Sequence, residues 1–288
     1  MIEVLHPGIY CSIQDQGRFG YTKMGVPQAG YADTYAAKMA NALLKNHEKA
    51  ALVEITFGQG KFKFKSDTYI CLTGGNFSPK LNGKLIKMQS VYPIKKDSVL
   101  SFGKRVYGAR VYLSVQGGIQ TEKVYGSRSY FEGITQQKLV KGAMLPILPI
   151  EKDTDNSFSR VRASEKHFTT IYLPCLKGPE FSKLNNEQQR KLLTPFSISD
   201  HNNRVGYRLK ESLENNISSI LTSPVLPGTV QLTPSGKCII LMQDCQVTGG
   251  YPRILQLSEI AIARISQKIT GDKIQFILEE THNLVHKK

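Results

Sequence analysis

The sequence predicts a mainly β protein folded as two small barrels, and three observations support that prediction. Most of the chain consists of short segments that are rich in β-branched and aromatic residues and are separated by Gly, Pro and Asn, as in all-β proteins. Convincing helical periodicity is confined to a few short segments. Motifs of the first half recur in the second half in the same order, which indicates two related units.

Predicted strands occur along the whole chain. They span 9–13, 52–57, 61–64, 68–72, 98–102 and 109–115 in the first half, and 168–173, 194–198, 229–232, 238–242 and 273–278 in the second half. Residues 61–65 read Lys-Phe-Lys-Phe-Lys, and this strict alternation is typical of a strand with one buried and one solvated face. We therefore interpret these lysines as a solvated face in preference to a binding stripe.

Three segments carry the predicted short helices. Asp33 can cap a helix within residues 33–45, because an apolar stripe of Ala, Met and Leu runs over 34–44. Ser258 can cap a second helix over 259–267, and 186–193 is a weaker third candidate. The sequence therefore predicts a β fold with only a few helices.

The internal repeat defines the domain organisation. The segment 12–21 recurs as 199–207, the Thr-Gly-Gly sequence at 73–75 recurs at 248–250, and the strand near 97–102 recurs near 272–276. Two closed barrels are expected, because closure removes the exposed strand edges that promote aggregation. The Lys- and Ser-rich stretch 151–166 is the predicted linker. The predicted domains are 1–160, with the first helix, and 161–288.

Composition and charge narrow the function classes. The chain has 288 residues, of which 40% are hydrophobic and 21% charged, as in soluble globular proteins. A formal net charge of +15 permits an anionic partner, but the lysines are scattered and no nucleic-acid-binding motif accompanies them. No apolar stretch approaches the roughly 20 residues of a membrane span. We expect no nucleic acid, no membrane association and a cytoplasmic location, since residues 1–7 lack the features of a secretory signal.

Several catalytic classes lack their motifs. The five cysteines are widely spaced without a C-x-x-C pair, and the six histidines form no metal-binding pattern, so neither a disulfide framework nor a metal site is predicted. No serine nucleophile elbow and no Walker A sequence is present. The candidate chemistry is therefore that of arginine, carboxylate and amide side chains.

Two regions of the first half are candidate polar sites. The turn after the first predicted strand places Asp15 and Arg18 where they can pair, and the loop 25–30 leads into Asp33 at a helix start, where backbone amides can bind an anion. Arg128 follows Gly126 and Ser127 in a candidate anion clamp. The alternative interpretation of each is an ordinary structural turn.

The second half carries more polar groups. Arg204 and Arg208 are four residues apart and would face the same side of an extended segment, where two guanidinium groups suit a carboxylate or phosphate. Gln231 lies in a predicted strand, and residues 243–252 add amides, the Asp244 carboxylate, two glycines and Tyr251. The alternative is that each motif is a polar corner of a barrel.

These motifs together resemble a known family over nearly the whole chain. The matching sequences are Gln-Asp-Gln-Gly-Arg-Phe-Gly-Tyr at 14–21, Gly-Val-Pro at 25–27, Gly-Ser-Arg at 126–128, Arg-Val-Gly-Tyr-Arg-Leu at 204–209, Pro-Gly-Thr-Val-Gln at 227–231 and Thr-Gly-Gly-Tyr-Pro at 248–252. The chain resembles the C subunits of bacterial ATP-dependent 5-oxoprolinases, within the wider biotin-dependent carboxyltransferase and allophanate hydrolase subunit 2 family.

The resemblance implies a fold, partners and a reaction. The expected fold is two tandem cyclophilin-like β-barrels, which agrees with the repeat. The expected partners are the A and B subunits of such an enzyme, the second of which is related to an inhibitor of a sporulation kinase. The complex would cleave 5-oxo-L-proline to L-glutamate using ATP with Mg²⁺, although no recognisable motif of this chain binds ATP.

Two alternative functions remain open. One is a carboxyltransferase component that uses carboxybiotin in a urea carboxylase or allophanate system, although the chain contains no Met-Lys-Met biotin carrier sequence. The other is a regulatory protein that antagonises the kinase inhibitor by binding it.

For 5-oxoproline as the substrate, the functional pocket is predicted on the second unit. Arg208 is expected to bind the carboxylate and Asp244 to contact the lactam N–H or transfer a proton. The predicted catalytic residues are Arg208, Gln231 and Asp244, the predicted substrate-binding residues are Asn203, Arg204, Gln246, Thr248 and Tyr251, and the secondary candidates are Asp15, Arg18, Asp33 and Arg128.

Overall fold

The structure is a computed structural model that describes residues 1–135, 138–149 and 164–279. The chain divides into two compact units. Unit 1 comprises Met1–Thr169 together with Ser266–Lys268, and unit 2 comprises Thr170–Ile265 and the chain from Ile269 onward. Most of the predicted linker 151–166, and the predicted boundary after residue 160, lie outside the described residues.

Unit 1 consists mainly of two antiparallel sheets. Its elements are β1 (Ile2–His6), β2 (Tyr10–Gln14), α1 (Thr34–Leu43), β3 (Leu52–Thr56), β4 (Lys61–Phe64), β5 (Thr68–Asn76), β6 (Lys80–Leu81), β7 (Lys84–Leu85), β8 (Val91–Ile94), β9 (Val99–Ser101), β10 (Tyr107–Val115), β11 (Met144–Leu145) and α2 (Lys166–Thr169). A six-stranded sheet has the order β11-β1-β4-β9-β6-β7, and a five-stranded sheet has the order β2-β3-β10-β5-β8.

The two sheets of unit 1 share one apolar core. Ile2 and Phe62 from the first sheet and Val53 and Val111 from the second belong to the same buried cluster. In β4, the phenylalanines are buried and Lys63 is half-buried. The alternation predicted for this strand is confirmed, and Lys63 forms an ion pair with Asp97 at 3.0 Å.

Unit 2 contains a closed barrel. Its elements are β12 (Tyr172–Lys177), α3 (Asn186–Leu192), β13 (Phe196–Asn202), β14 (Gly206–Ser212), β15 (Ser223–Pro224), β16 (Thr229–Leu232), β17 (Lys237–Leu241), β18 (Thr248–Gly249), β19 (Arg253–Leu257), α4 (Glu259–Ser266) and β20 (Lys273–Leu278). Seven strands close in the order β12-β19-β16-β17-β14-β13-β20. Leu173, Val230 and Phe276 are among the fully buried residues of its core. The predicted fold class, mainly β with a few helices, is confirmed. Of the two predicted barrels, the closed one is that of unit 2, and the strands of unit 1 form the two sheets described above.

The helices test the predicted caps. The Asp33 side chain accepts a hydrogen bond from the Ala36 amide at the start of α1, as predicted. Helix α3 begins with a capping box of Asn185 and Gln188. At α4 the predicted helix forms, but the buried Ser258 hydroxyl has no hydrogen-bond partner among the described residues, so it does not cap. The predicted strand 168–173 is wrong at its start, where α2 ends at Thr169.

Three residues from late in the sequence complete unit 1. The Gln267 side chain accepts from the backbone amides of Ala109 and Arg110 at 2.9 and 3.0 Å and donates to Asp33 at 2.8 Å. Nearby, the Tyr112 hydroxyl donates to the Glu54 carboxylate at 3.0 Å. Burial, and secondarily the Glu54 charge, raises the pKa of Tyr112 well above its ordinary value. We interpret this buried cluster of Asp33, Glu54, Tyr112 and Gln267 as a hydrogen-bond network that stabilises the fold of unit 1.

The cysteine thiols are unsuited to nucleophilic catalysis. All five cysteines are free and buried, and burial raises the pKa of Cys71, Cys175, Cys238 and Cys245 to about 12. Such thiols are not nucleophiles near neutral pH.

Within the described residues, no helix is long and apolar enough to cross a membrane.

Candidate functional site

A pocket of about 440 Å³ opens on unit 2. It is formed where the end of β13 and the turn that follows it meet β14, β16 and β17 and the residues that flank β18. The lining residues are His201, Asn203, Val205, Gly206, Arg208, Gln231, Ile239, Leu241, Gln246 and Tyr251. Five residues predicted from the sequence are therefore brought together, namely Asn203, Arg208, Gln231, Gln246 and Tyr251.

Gln231 is the most informative of these side chains. It lies on β16 and is only 2% exposed, yet its Nε2 has no hydrogen-bond partner among the described residues. A buried amide donor without a partner costs free energy, and such groups occur where a ligand supplies the acceptor. A Cβ on Gly249 would lie 2.6 Å from this nitrogen, so glycine at 249 leaves the space that the amide occupies.

Arg208 supplies the positive charge of the pocket. It lies on β14 with its side chain exposed, opposite Ile239 in the β14–β17 register. No carboxylate is among the residues that line the pocket. Because a guanidinium is charged at every working pH, the pocket favours an anion.

Asp244 lies outside the lining of this pocket and is paired with Arg204. Its carboxylate forms a two-point ion pair with Arg204, from Nε to Oδ2 at 2.7 Å and from the second nitrogen to Oδ1 at 2.8 Å, and neither residue lines the pocket. The Asp244 amide also donates to the Arg204 carbonyl at 2.9 Å. Asp244 and Arg204 are therefore positioning residues that fix two loops of the pocket wall. The partner of Asp244 is Arg204, whereas the structural alternative considered from the sequence was Arg208.

The expectation that Arg204 and Arg208 face the same side is wrong. Residues 203–205 form the turn between β13 and β14, so the two-residue alternation of a strand does not extend from one arginine to the other. Arg204 is buried and Arg208 is exposed. Thr248, predicted to bind substrate, is exposed on β18 and is not among the lining residues.

His201 was missed by the sequence analysis. It lines the pocket, and its Nδ1 lies 2.9 Å from the Asp200 carboxylate. Both side chains are largely exposed, by 75% and 80%, and an imidazole beside a carboxylate can accept or deliver a proton. The signal was the adjacent Asp-His pair within the repeated segment 199–207, which matches no known catalytic motif.

The secondary candidates of unit 1 are largely structural. The Asp15 carboxylate accepts from the hydroxyls of Ser127 and Ser129 at 2.5 and 2.7 Å and from the Arg128 amide at 2.6 Å. Arg18 is buried and donates to the Ser129 carbonyl. Asp33 is the buried cap of α1.

Comparisons with known proteins agree with this architecture. The model of the carboxyltransferase domain family, subdomain A and B, matches residues 24–278. A relative in Escherichia coli (strain K12), the C subunit of 5-oxoprolinase, is 30% identical over 96% of this chain and 91% of its own length. The urea amidolyase of Lachancea kluyveri is 38% identical over 96% of this chain but only 17% of its own length.

Solved structures show the same fold. The urea carboxylase of Kluyveromyces lactis superposes with a TM-score of 0.86 at 28% identity over 97% of this chain, which spans 27% of that protein. Another solved structure superposes with a TM-score of 0.84 at 26% identity over 96% of this chain, which spans 55% of that protein. The chain belongs to the carboxyltransferase domain family, subdomain A and B.

Proposed function

We propose that this chain is the C subunit of an ATP-dependent 5-oxoprolinase, which with its partner subunits opens 5-oxo-L-proline to L-glutamate. The observation that carries the proposal is the buried, unpartnered Gln231 amide beside the exposed Arg208 in one pocket. The end-to-end match to the C subunit of the E. coli 5-oxoprolinase, which covers 91% of that relative, supports it.

The pocket suits the substrate group by group. The Arg208 guanidinium binds the carboxylate, as arginine commonly does. The Gln231 Nε2–H donates to the lactam carbonyl oxygen, which gives this buried amide the acceptor that it lacks among the described residues. Asn203, Gln246 and Tyr251 supply polar groups around the ring.

Opening the lactam breaks the C–N bond, and the departing nitrogen must take up a proton. His201, paired with Asp200, is the group of this pocket that can deliver it. The same imidazole can remove a proton from the attacking water. In this proposal His201 and Gln231 act on the reacting atoms, while Arg204 and Asp244 hold the loops around them.

ATP would supply the free energy of ring opening in the complex. Arg208 is the one arginine or lysine among the residues that line the unit 2 pocket, and a single guanidinium does not fit a triphosphate. We therefore assign no step in this pocket to ATP, and the two partner subunits remain part of the proposal.

The test is reconstitution with candidate A and B subunits, with glutamate release from 5-oxoproline and ATP as the readout. We expect turnover with the three chains together and none with this chain alone. His201→Gln should lower kcat at least about tenfold, the effect of losing about 1.4 kcal/mol of transition-state stabilisation. Failure of the assembled complex to release glutamate would refute the proposal.

A carboxyltransferase function is the second candidate. It is favoured by the 38% identity to urea amidolyase, which exceeds the 30% identity to the E. coli 5-oxoprolinase protein. It requires a biotin-bearing partner, so carboxylation of urea that avidin abolishes would support it. Stable binding of a partner, with neither glutamate release from 5-oxoproline nor carboxylation of urea, would instead favour the regulatory role.

A further inference from the structure

A second pocket lies in unit 1, where no reaction has been assigned. Its volume is about 550 Å³, larger than that of the unit 2 pocket. Its lining includes the aromatic rings of Phe19, Tyr21 and Tyr125 and the side chains of Lys49 and Lys123. The pocket therefore combines aromatic surface with positive charge.

Tyr125 lies in a tight turn, with its ring beside that of Tyr21. The rings of Tyr21 and Tyr125 lie 5.0 Å apart at 45°, and Tyr125 is 43% exposed. Tyr125 has a φ of 52°, in the left-handed region, and the following Gly126 has a φ of 76°. Tyr125 and Gly126 are the two central residues of a tight turn, closed by backbone hydrogen bonds between Val124 and Ser127, and a positive φ at both central positions is what such a turn requires.

The charge of the pocket is positive. Lys49 and Lys123 are exposed, and neither forms an ion pair with any described residue. Arg128 adds a third positive charge. The one carboxylate of the lining, Asp15, is turned to the hydroxyls of Ser127 and Ser129 and so is held within the wall.

His47 adds a donor to this set. Its Nδ1 accepts a hydrogen bond from the Lys49 backbone amide at 3.1 Å. In the neutral imidazole the proton is then on Nε2, which leaves that nitrogen as a donor. The pocket thus offers several donors and cations for a ligand with more than one negative charge.

We propose that the unit 1 pocket binds a nucleoside triphosphate. A purine base stacks on flat aromatic rings in proteins, and Tyr21 and Tyr125 provide them. The phosphates carry several negative charges, which Lys49, Lys123 and Arg128 neutralise. 5-Oxoproline has one charge and no aromatic ring, so it matches this pocket poorly. The proposal does not depend on the proposed function, because it concerns binding alone.

Calorimetric titration of the purified full chain tests this directly, with MgATP, adenosine and inorganic triphosphate as separate ligands. MgATP should bind at least about tenfold more tightly than either fragment, because both halves of the pocket are then engaged. Inorganic triphosphate binding as tightly as MgATP would show only an anion site and would overturn the nucleoside assignment. No heat with MgATP at millimolar concentration would overturn the proposal entirely.

Paired variants locate the site. Tyr125→Ala should weaken MgATP binding at least about fivefold, since one stacked base contact is lost, whereas Tyr125→Phe keeps the ring and should bind as wild type. The double change Lys49→Glu with Lys123→Glu should weaken it at least about tenfold. The control Lys84→Glu alters an exposed lysine on β7, outside the pocket. Equal binding by all four variants would place the nucleotide elsewhere.

Discussion

The two pockets of this protein are built from two copies of one loop, and they differ in what surrounds it. In unit 1 the copy at 18–21 contributes Phe19 and Tyr21 to the wall, and in unit 2 the copy at 204–207 contributes Val205 and Gly206. In both copies the arginine is buried and the next residue is exposed, Phe19 by 59% and Val205 by 46%. The repeat therefore places a buried arginine, followed by an exposed apolar residue that lines the pocket, once in each unit.

Much of the chemistry of each pocket comes from residues outside the loops 18–21 and 204–207. Unit 1 adds Lys49, Lys123 and Tyr125, whereas unit 2 adds Gln231 and Gln246. The first set is cationic and aromatic and the second is rich in amides. A shared motif thus predicts where a pocket lies, and the residues that converge on it decide which ligand it takes.

The largest effect is expected where the loop is anchored. Arg204→Met would leave the nearly buried Asp244 carboxylate without its partner, which should lower the free energy of unfolding by about 3 kcal/mol. Urea unfolding of the purified chain measures this change. The matched control Arg208→Met, in the same segment but exposed, should alter stability by less than about 0.5 kcal/mol.

The same pair of variants separates anchoring from binding. In the reconstituted enzyme Arg208→Met, and also Arg208→Lys, should lower kcat/KM by at least about tenfold. Equal loss of stability in Arg204→Met and Arg208→Met would contradict the distinction between a buried anchor and an exposed ligand-binding arginine.

Gln231 should behave as a functional residue whose removal does not destabilise the fold. Because its Nε2 donates to no described group, Gln231→Leu should leave the melting temperature unchanged or raise it. Its kcat/KM should fall by about tenfold to a hundredfold, as expected when one hydrogen bond to the reacting group is lost. The control is Gln243→Leu, a nearly buried glutamine of unit 2 that does not line the pocket.

The result that would remove Gln231 from the site is a drop in melting temperature with unchanged kinetics. That outcome would show that the amide has a structural partner and no substrate contact.

How far the sequence predicted this molecule depends on how local each signal is. The cap Asp33 and the alternation of β4 involve residues close in the chain, so both were confirmed. The pocket residues Arg208 and Gln231 were found from the concentration of polar motifs in the second half. The Arg204–Asp244 pair was not predicted, because its two residues are 40 positions apart in the sequence. The argument from the spacing of Arg204 and Arg208 assumed a continuous strand where the chain forms a turn.

Other features had no sequence signal. The missing hydrogen bond of Gln231 depends on what packs around it in the folded barrel. The unit 1 pocket depends on Lys49, Lys123 and Tyr125, which come from three separate segments of the chain. Only the packed sheets bring such residues together.

A smaller effect is expected at the wall of the unit 1 pocket. Ser127→Ala removes one of the hydroxyls that hold the Asp15 carboxylate, which should lower the free energy of unfolding by about 1.5 kcal/mol. Chemical denaturation measures this, with Ser101→Ala on β9, a half-buried serine of the same unit, as the control. An unchanged stability would mean that Ser129 and the Arg128 amide suffice to hold the loop.

The smallest expected effect is the pH dependence of stability that arises from the ion pair between Arg253 and Glu180, next to Gln231 of the unit 2 pocket. Arg253, the register partner of Gln231 on β19, donates to the Glu180 carboxylate from two side-chain nitrogens at 3.1 Å. These hydrogen bonds hold the pKa of Glu180 below its ordinary value of 4.5. The pair therefore stabilises the fold above that pH, and its contribution is lost as the pH falls through the lowered pKa. Glu180→Gln should cost about 1 kcal/mol at pH 7, and the difference from wild type should vanish in urea titrations at progressively lower pH. A difference that widens on acidification would show that Arg253 does not stabilise the ionised carboxylate.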